Sequence, residues 1–94
     1  MDIKIIHDQK NRKFTTSVDN SECYLNYNFT RENVMDFYFT YVPGELRGKG
    51  IAGKLVEEGL KYAQENNLSV IPSCSYVSSY VRRNDKYESI IVEE

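Results

Sequence analysis

Ninety-four residues with a net charge of −2 allow one domain with a modest core and leave little room for a second site. That charge excludes the general electrostatic affinity of a nucleic-acid binder, and the absence of any long apolar run excludes a membrane-spanning helix. Two cysteines without a CxxC pair and one histidine do not make a structural zinc site, so no metal is expected. The sequence begins Met-Asp-Ile-Lys with no apolar signal segment, so a reduced, cytoplasmic protein is expected, and a monomer rather than an oligomer. Eight tyrosines and four phenylalanines suit a sheet-rich fold, with most of these rings packing a core.

Ile3 to His7 reads as a strand, Asp8 to Asn11 as a polar turn and Lys13 to Val18 as the hairpin partner. His7 has an ordinary pKa near neutrality, but ahead of a hairpin turn it reads as a surface residue. After a turn at Asp19-Asn20-Ser21, Glu22 to Phe29 alternates as a half-buried antiparallel strand does. Cys23, Leu25, Tyr27 and Phe29 share one face, and Glu22, Asn26 and Asn28 the other. Cys23 reads there as a small core residue.

Thr30 to Asn33 turns the chain again. Val34 to Val42 then sets Met35, Phe37, Phe39 and Tyr41 on one side and Val34, Tyr38 and Val42 on the other, which predicts a central strand covered on both faces. Gly50 to about Glu65 places Ala52, Leu55, Val56, Gly59, Leu60 and Ala63 at helical spacing, and Asn66-Asn67 supplies a left-handed stop. Leu68 to Ile71 is a short buried strand. A strand–helix–strand crossover of this length makes it parallel to 34–42, so Tyr41 to Gly50 and Pro72 to Tyr76 face each other across a cleft. Ser75 then caps a short helix to about Arg83, and Ser89 to Val92 forms a final strand. The fold class is α+β over residues 1–94: a mixed, mostly antiparallel sheet with one parallel pair, a main helix after a glycine-rich loop and a short C-terminal helix.

The chemistry gathers at Tyr41 to Ala52, where an extended run meets a basic glycine turn and a helix begins. Glycines let a backbone approach an anion closely, and a helix start aims unpaired N–H groups and its positive dipole end at the same point. Arg47, Lys49 and Lys54 add positive charge with no acid between them. Gly48-Lys49-Gly50-Ile51-Ala52-Gly53 satisfies G-x-G-x-x-G, but the next strand-like run ends Ile71-Pro72-Ser73-Cys74 without the acid a dinucleotide site needs. A Walker loop fails as well, because Gly44 to Gly48-Lys49 is one residue short and Gly50 stands where Ser or Thr would hold magnesium.

Arg47-Gly48-Lys49-Gly50-Ile51-Ala52 matches Arg/Gln-x-x-Gly-x-Gly/Ala, with Val42-Pro43 shortly before it. On these residues the chain resembles the GNAT superfamily of N-acetyltransferases. From Thr40 to Tyr87, including Lys-Leu-Val-Glu, Val-Ile-Pro-x-Cys and Arg-Arg-Asn-Asp-Lys-Tyr, it is similar to that superfamily's small single-domain subgroup. The resemblance implies acetyl-CoA as cofactor, its pyrophosphate on the backbone of Gly48, Lys49, Gly50, Ile51 and Ala52, with Arg47, Lys49 and Lys54 adding charge. It also implies a splay of the parallel strands that opens the backbone of Thr40, Tyr41 and Val42 to the pantetheine amides.

For the transfer itself, the nearest acid in sequence is Glu45. The subgroup is expected to carry a Glu where this chain has Tyr41, so a base role at that position does not carry over. Tyr76 and Tyr80, one helical turn apart, lie near where larger relatives place a tyrosine acid for the leaving thiolate. Cys74, in the strand-to-helix turn opposite the glycines, is placed for thiolate character and for a two-step route through an acetylated sulfur, or else is a small buried hydrophobe. The implied activity is transfer of acetyl to an amine acceptor: a protein lysine, a polyamine or a small amine. The alternative is a non-catalytic module that binds CoA thioesters and regulates or scaffolds a partner, which the missing acid at Tyr41 supports.

Overall fold

The computed structural model describes residues 3–93. Five strands lie side by side in chain order: β1 (Ile6–Asp8), β2 (Lys13–Val18), β3 (Ser21–Arg31), β4 (Val34–Tyr41) and β5 (Ser69–Ile71). The first four pair antiparallel, and β5 joins β4 in parallel with Val34 opposite Ser69 and Asp36 opposite Ile71. Asp19 and Asn20 both adopt positive φ in the two-residue loop from β2 to β3, the conformation whose twist matches that of a hairpin.

Helix α1 (Ile51–Glu65) crosses from β4 to β5 and buries Ile51, Leu55, Val56, Gly59, Leu60 and Ala63. It sits close to the sheet because Gly59 has no side chain: a Cβ there would lie 2.9 Å from Cε2 of Phe37 and 3.0 Å from Cδ2 of Leu25. The helix ends as its asparagines predict. Asn67 takes the left-handed conformation, Asn67 N–H bonds the Gln64 carbonyl and Leu68 N–H reaches back to Ala63 at 2.8 Å, a Schellman closure. Helix α2 (Ser75–Arg83) packs beside α1, with Val77 in the common core and Tyr76 and Tyr80 against Gly53. Cys23 is fully buried in that core, and both cysteines are free thiols.

Four expectations about the elements of the fold are corrected. The first strand is Ile6–Asp8 rather than 3–7, since at Lys4 the carbonyl meets the Thr16 hydroxyl at 2.7 Å instead of a ladder partner. The C-terminal segment is a 3₁₀ helix, Asp85–Ile90, followed by a single bridge from Ile91 to Val70, because Tyr87 turns inward to bury its ring and bond α1. The N-cap of α2 is Cys74, not Ser75, and no side chain caps it. The last correction bears most on the site: β4 is not covered on both faces.

Between Asn26–Tyr27 of β3 and the paired Phe39 and Phe37, the register skips Tyr38. This bulge turns Phe39 and Tyr41 onto the face opposite Phe37. Both helices pack on the Phe37 face, so Tyr38, Phe39 and Tyr41 remain 44%, 44% and 39% exposed. His7 is not a simple surface residue either. Its ring stacks on Phe14 at 4.1 Å and meets the edge of Tyr62, and Nε2 lies 2.6 Å from the Tyr27 hydroxyl. Burial lowers the pKa of this imidazole, against a smaller opposing pull from Asp8.

Candidate functional site

β4 outruns its parallel partner. The pairing with β5 ends at Asp36 and Ile71, and the next tie is one hydrogen bond from Cys74 N–H to the Phe37 carbonyl at 3.0 Å. From Tyr38 to Tyr41 the strands part, leaving β4 backbone on that side without a strand neighbour.

The chain then runs through Val42-Pro43 into a 3₁₀ turn, Gly44–Leu46, which Leu46 pins by burying its side chain. Arg47 folds back, donating from Nε to the Val42 carbonyl at 3.1 Å, and so braces the loop against the strand it left. Gly48 and Gly50 both have φ near +80°, a conformation that a side chain disfavours, and a Cβ on either would project into open space. Gly50 is the N-cap of α1, with no side-chain cap and no acid in the first turn. The first N–H groups of this 15-residue helix therefore face outward beside its positive dipole end.

These segments enclose a cavity of about 510 Å³. Of the residues expected from sequence, Thr40, Tyr41, Val42, Arg47, Gly48, Gly50, Ile51, Ala52 and Tyr76 line it. Lys49 is exposed outside the lining, and Lys54 borders an adjoining hollow of about 400 Å³ together with Gly50, Glu57 and Tyr80. Glu45 stands exposed in the 3₁₀ turn, away from the cavity. Phe39 and Leu46 also line the cavity, and neither is marked as a site residue by the sequence. The bulge hides Phe39 among core residues, and Leu46 reads as an ordinary loop position.

Cys74 sits just behind the wall, its Sγ 3.5 Å from the Thr40 hydroxyl. Burial pushes the thiol up, but the Thr40 hydroxyl and the backbone N–H groups of Val77 and Tyr76 outweigh it and bring the thiol below its ordinary pKa. The two tyrosines are separated by their partners. Tyr80 donates to Glu57 Oε1 at 2.5 Å, while the other carboxylate oxygen takes Tyr87 at 2.6 Å and Lys86 at 2.9 Å. Burial and the Glu57 carboxylate raise the Tyr80 phenol far above its ordinary value. Burial opposes the charge on Glu57, yet Lys86 and the two phenols lower its pKa. The result is a clamp that fixes α2 and the 3₁₀ helix to α1. Spacing along the chain carries no sign of it, because its members lie 23 and 30 positions apart.

A parted strand pair feeds a glycine turn and an uncapped helix start, and together they form the candidate site. The family model described as GCN5-related N-acetyl-transferase matches residues 13–90, and the chain belongs to that family. Protein NATD1 of Gallus gallus is 32% identical over 84 residues, covering 87% of this chain and 76% of its own. The Homo sapiens protein of the same name is 31% identical, with 87% and 74% covered. A GCN5-like putative N-acetyltransferase from Staphylococcus aureus, solved by NMR in solution, superposes with a TM-score of 0.76 at 30% identity over 99% of this chain and 89% of that one. Among the described residues no helix is long and apolar enough to cross a membrane.

Proposed function

We propose that this protein is an acetyl-CoA-dependent N-acetyltransferase that moves an acetyl group to an amine. One observation carries the reading: the open edge of β4 leads through the cavity directly onto the bare N-terminus of α1, past two glycines whose missing side chains leave room. This arrangement fits a long, polar thioester with a doubly charged pyrophosphate. The N–H groups at the start of α1 and the backbone of Gly48 and Gly50 take the phosphates, and Arg47, held by Val42, adds charge. The edge of β4 from Thr40 to Val42 offers backbone partners to the pantetheine amides.

Acetyl-CoA supplies the acetyl carbon and a sulfur leaving group. The protein orients the amine and manages two protons, one lost by the nucleophile and one gained by the departing sulfur. Tyr76, which lines the cavity, is better placed to give that second proton than Tyr80, whose hydroxyl is held by Glu57. Cys74 stands at the wall as an alternative proton donor or as a nucleophile in a two-step route.

A second reading has its own support, since among the described residues no Asp, Glu or His lines the cavity. On that reading the protein binds CoA thioesters and acts on a partner without turnover. Calorimetric titration with acetyl-CoA and a thiol-release assay over a panel of amines separate the two. Binding with release supports the enzyme, binding without release supports the module, and no binding refutes both.

A further inference from the structure

An attacking amine must lose a proton, and among the described residues no Asp, Glu or His lines the cavity to take it. The bulge at Tyr38 supplies a substitute. By turning Phe39 and Tyr41 to the uncovered face, it sets Thr40, opposite the buried Leu25, on the face that the helices cover. Thr40 lines the cavity, and its hydroxyl lies 3.5 Å from Cys74 Sγ. Cys74 itself is half-buried and outside the lining, so the Thr40 hydroxyl is the link from its sulfur to the cavity.

The sulfur is placed to hold negative charge. It belongs to the N-cap of α2, beside that helix's positive dipole end. Burial raises the thiol's pKa, but the Thr40 hydroxyl and the backbone N–H groups of Val77, Tyr76 and Thr40 outweigh it. Cys74 N–H bonds the Phe37 carbonyl at 3.0 Å and the Cys74 carbonyl accepts Ser78 N–H at 2.9 Å, which fixes the residue between β4 and α2. A threonine hydroxyl is donor and acceptor at once. It can therefore donate to a Cys74 thiolate while accepting from a group in the cavity. Tyr76 stands apart from this pair, its hydroxyl 3.3 Å from where a Cβ on Gly53 would lie, over the first turn of α1.

Resting on the acetyltransferase reading, we propose that the Thr40 hydroxyl is a catalytic residue that takes the proton of the attacking amine and passes its own to the Cys74 sulfur. Cys74 is then the base of the reaction, acting through Thr40, and is never acetylated. The nitrogen forms its bond to the acetyl carbon as its proton moves to Thr40 Oγ1 and the Thr40 proton moves to Sγ. The carbon–sulfur bond breaks with its electrons on the departing sulfur, and Tyr76 gives that sulfur a proton. Exchange with water then carries one proton from Cys74 back to Tyr76, so neither side chain is changed over a cycle.

The test measures thiol release with benzylamine, spermine and a lysine-containing peptide as acceptors, and acetyl-CoA affinity by calorimetry. Thr40→Val keeps the shape and removes the hydroxyl. Its turnover is expected to fall about 10²-fold or more at wild-type acetyl-CoA affinity, which also shows that the variant is folded, and Thr40→Ser is expected to restore most of the loss. Cys74→Ser should retain slow transfer at about the rate of Thr40→Val, and the double variant should be no slower than either, because the two residues work as a unit. Two further readouts separate a proton path from packing. The acidic limb in the pH profile of kcat should be lost in Thr40→Val and return in Thr40→Ser. Alkylation by iodoacetamide reports on Cys74, since Cys23 is fully buried, and its pH dependence should move to higher pH in Thr40→Val, where the hydroxyl that favours the thiolate is gone. Full turnover in Thr40→Val, single losses that multiply in the double variant, or an acetyl thioester on Cys74 that passes to an amine overturns the relay and leaves the enzyme reading standing. Thiol release with none of the three acceptors overturns both.

Discussion

Gly50 separates two physical effects that a simpler substitution would merge. Its φ of +80° is a left-handed conformation, and a Cβ there meets no protein atom within 4 Å. An L-residue at this position costs about 1–2 kcal/mol in backbone strain, with asparagine at the low end because it tolerates this region. For a domain of this size each kcal/mol lowers Tm by about 4–8 °C. Gly50→Asn and Gly50→Asp have nearly the same shape, so both should melt a few degrees below wild type and keep their circular dichroism. They differ by one negative charge at the start of α1, where the pyrophosphate is proposed to sit. Two like unit charges 4 Å apart repel by about 1 kcal/mol in water and about 4 at an intermediate dielectric, so a difference of about fivefold or more in acetyl-CoA affinity is expected. Calorimetry at low salt should therefore rank wild type above Asn and Asn above Asp, and the gap between Asn and Asp should shrink in 1 M salt. Equal affinities for Asn and Asp at low salt would refute the placement of the phosphates at this helix.

Gly59→Ala gains helix propensity of about 1 kcal/mol but drives a methyl against Phe37 and Leu25, where overpacking costs about 1–3 kcal/mol. A lower Tm is expected, and a raised Tm would show that the helix can slide off the sheet cheaply. Tyr76→Phe should lose about 10²-fold in turnover without losing acetyl-CoA affinity, whereas Tyr80→Phe should keep most activity and lose thermal stability by releasing Glu57; the reverse pattern would move the proton donor to Tyr80. Folding holds the His7 ring neutral by burial, so the unfolded chain binds more protons than the native one just below its ordinary pKa of about 6.5. Thermal stability should fall as pH drops through that value, and in His7→Phe the slope should flatten. Cys74→Ser should retain transfer if the amine attacks directly. A hydroxylamine-labile acetyl on Cys74 that is formed with acetyl-CoA alone, and passed on to an added amine, would establish the two-step route.

The periodic parts of this fold are legible because each residue's neighbours in space are its neighbours in sequence. The α1 face, its asparagine stop and the crossover to a parallel β5 follow from spacing alone, and the glycine loop follows from residues that have few other uses. His7 escapes such reasoning because its cover comes from Phe14, Tyr27 and Tyr62 on three other elements. Tyr87 escapes it because the carboxylate that turns it inward lies 30 positions away on α1.

The bulge in β4 is the deeper case. Alternation through Met35, Phe37, Phe39 and Tyr41 is unbroken in the sequence, and only the pairing with β3 shows that Tyr38 is skipped. One extra residue reverses the face of everything after it, so a run that reads as doubly buried core becomes an aromatic surface beside the cavity. The strand leaves its parallel partner after Asp36 and skips register on the antiparallel side at Tyr38, two residues on. The core face of β4 thus supplies packing up to Phe37. Beyond it the strand has backbone and rings to offer a ligand, which is why the candidate chemistry lies at its C-terminal end and not over the centre of the sheet.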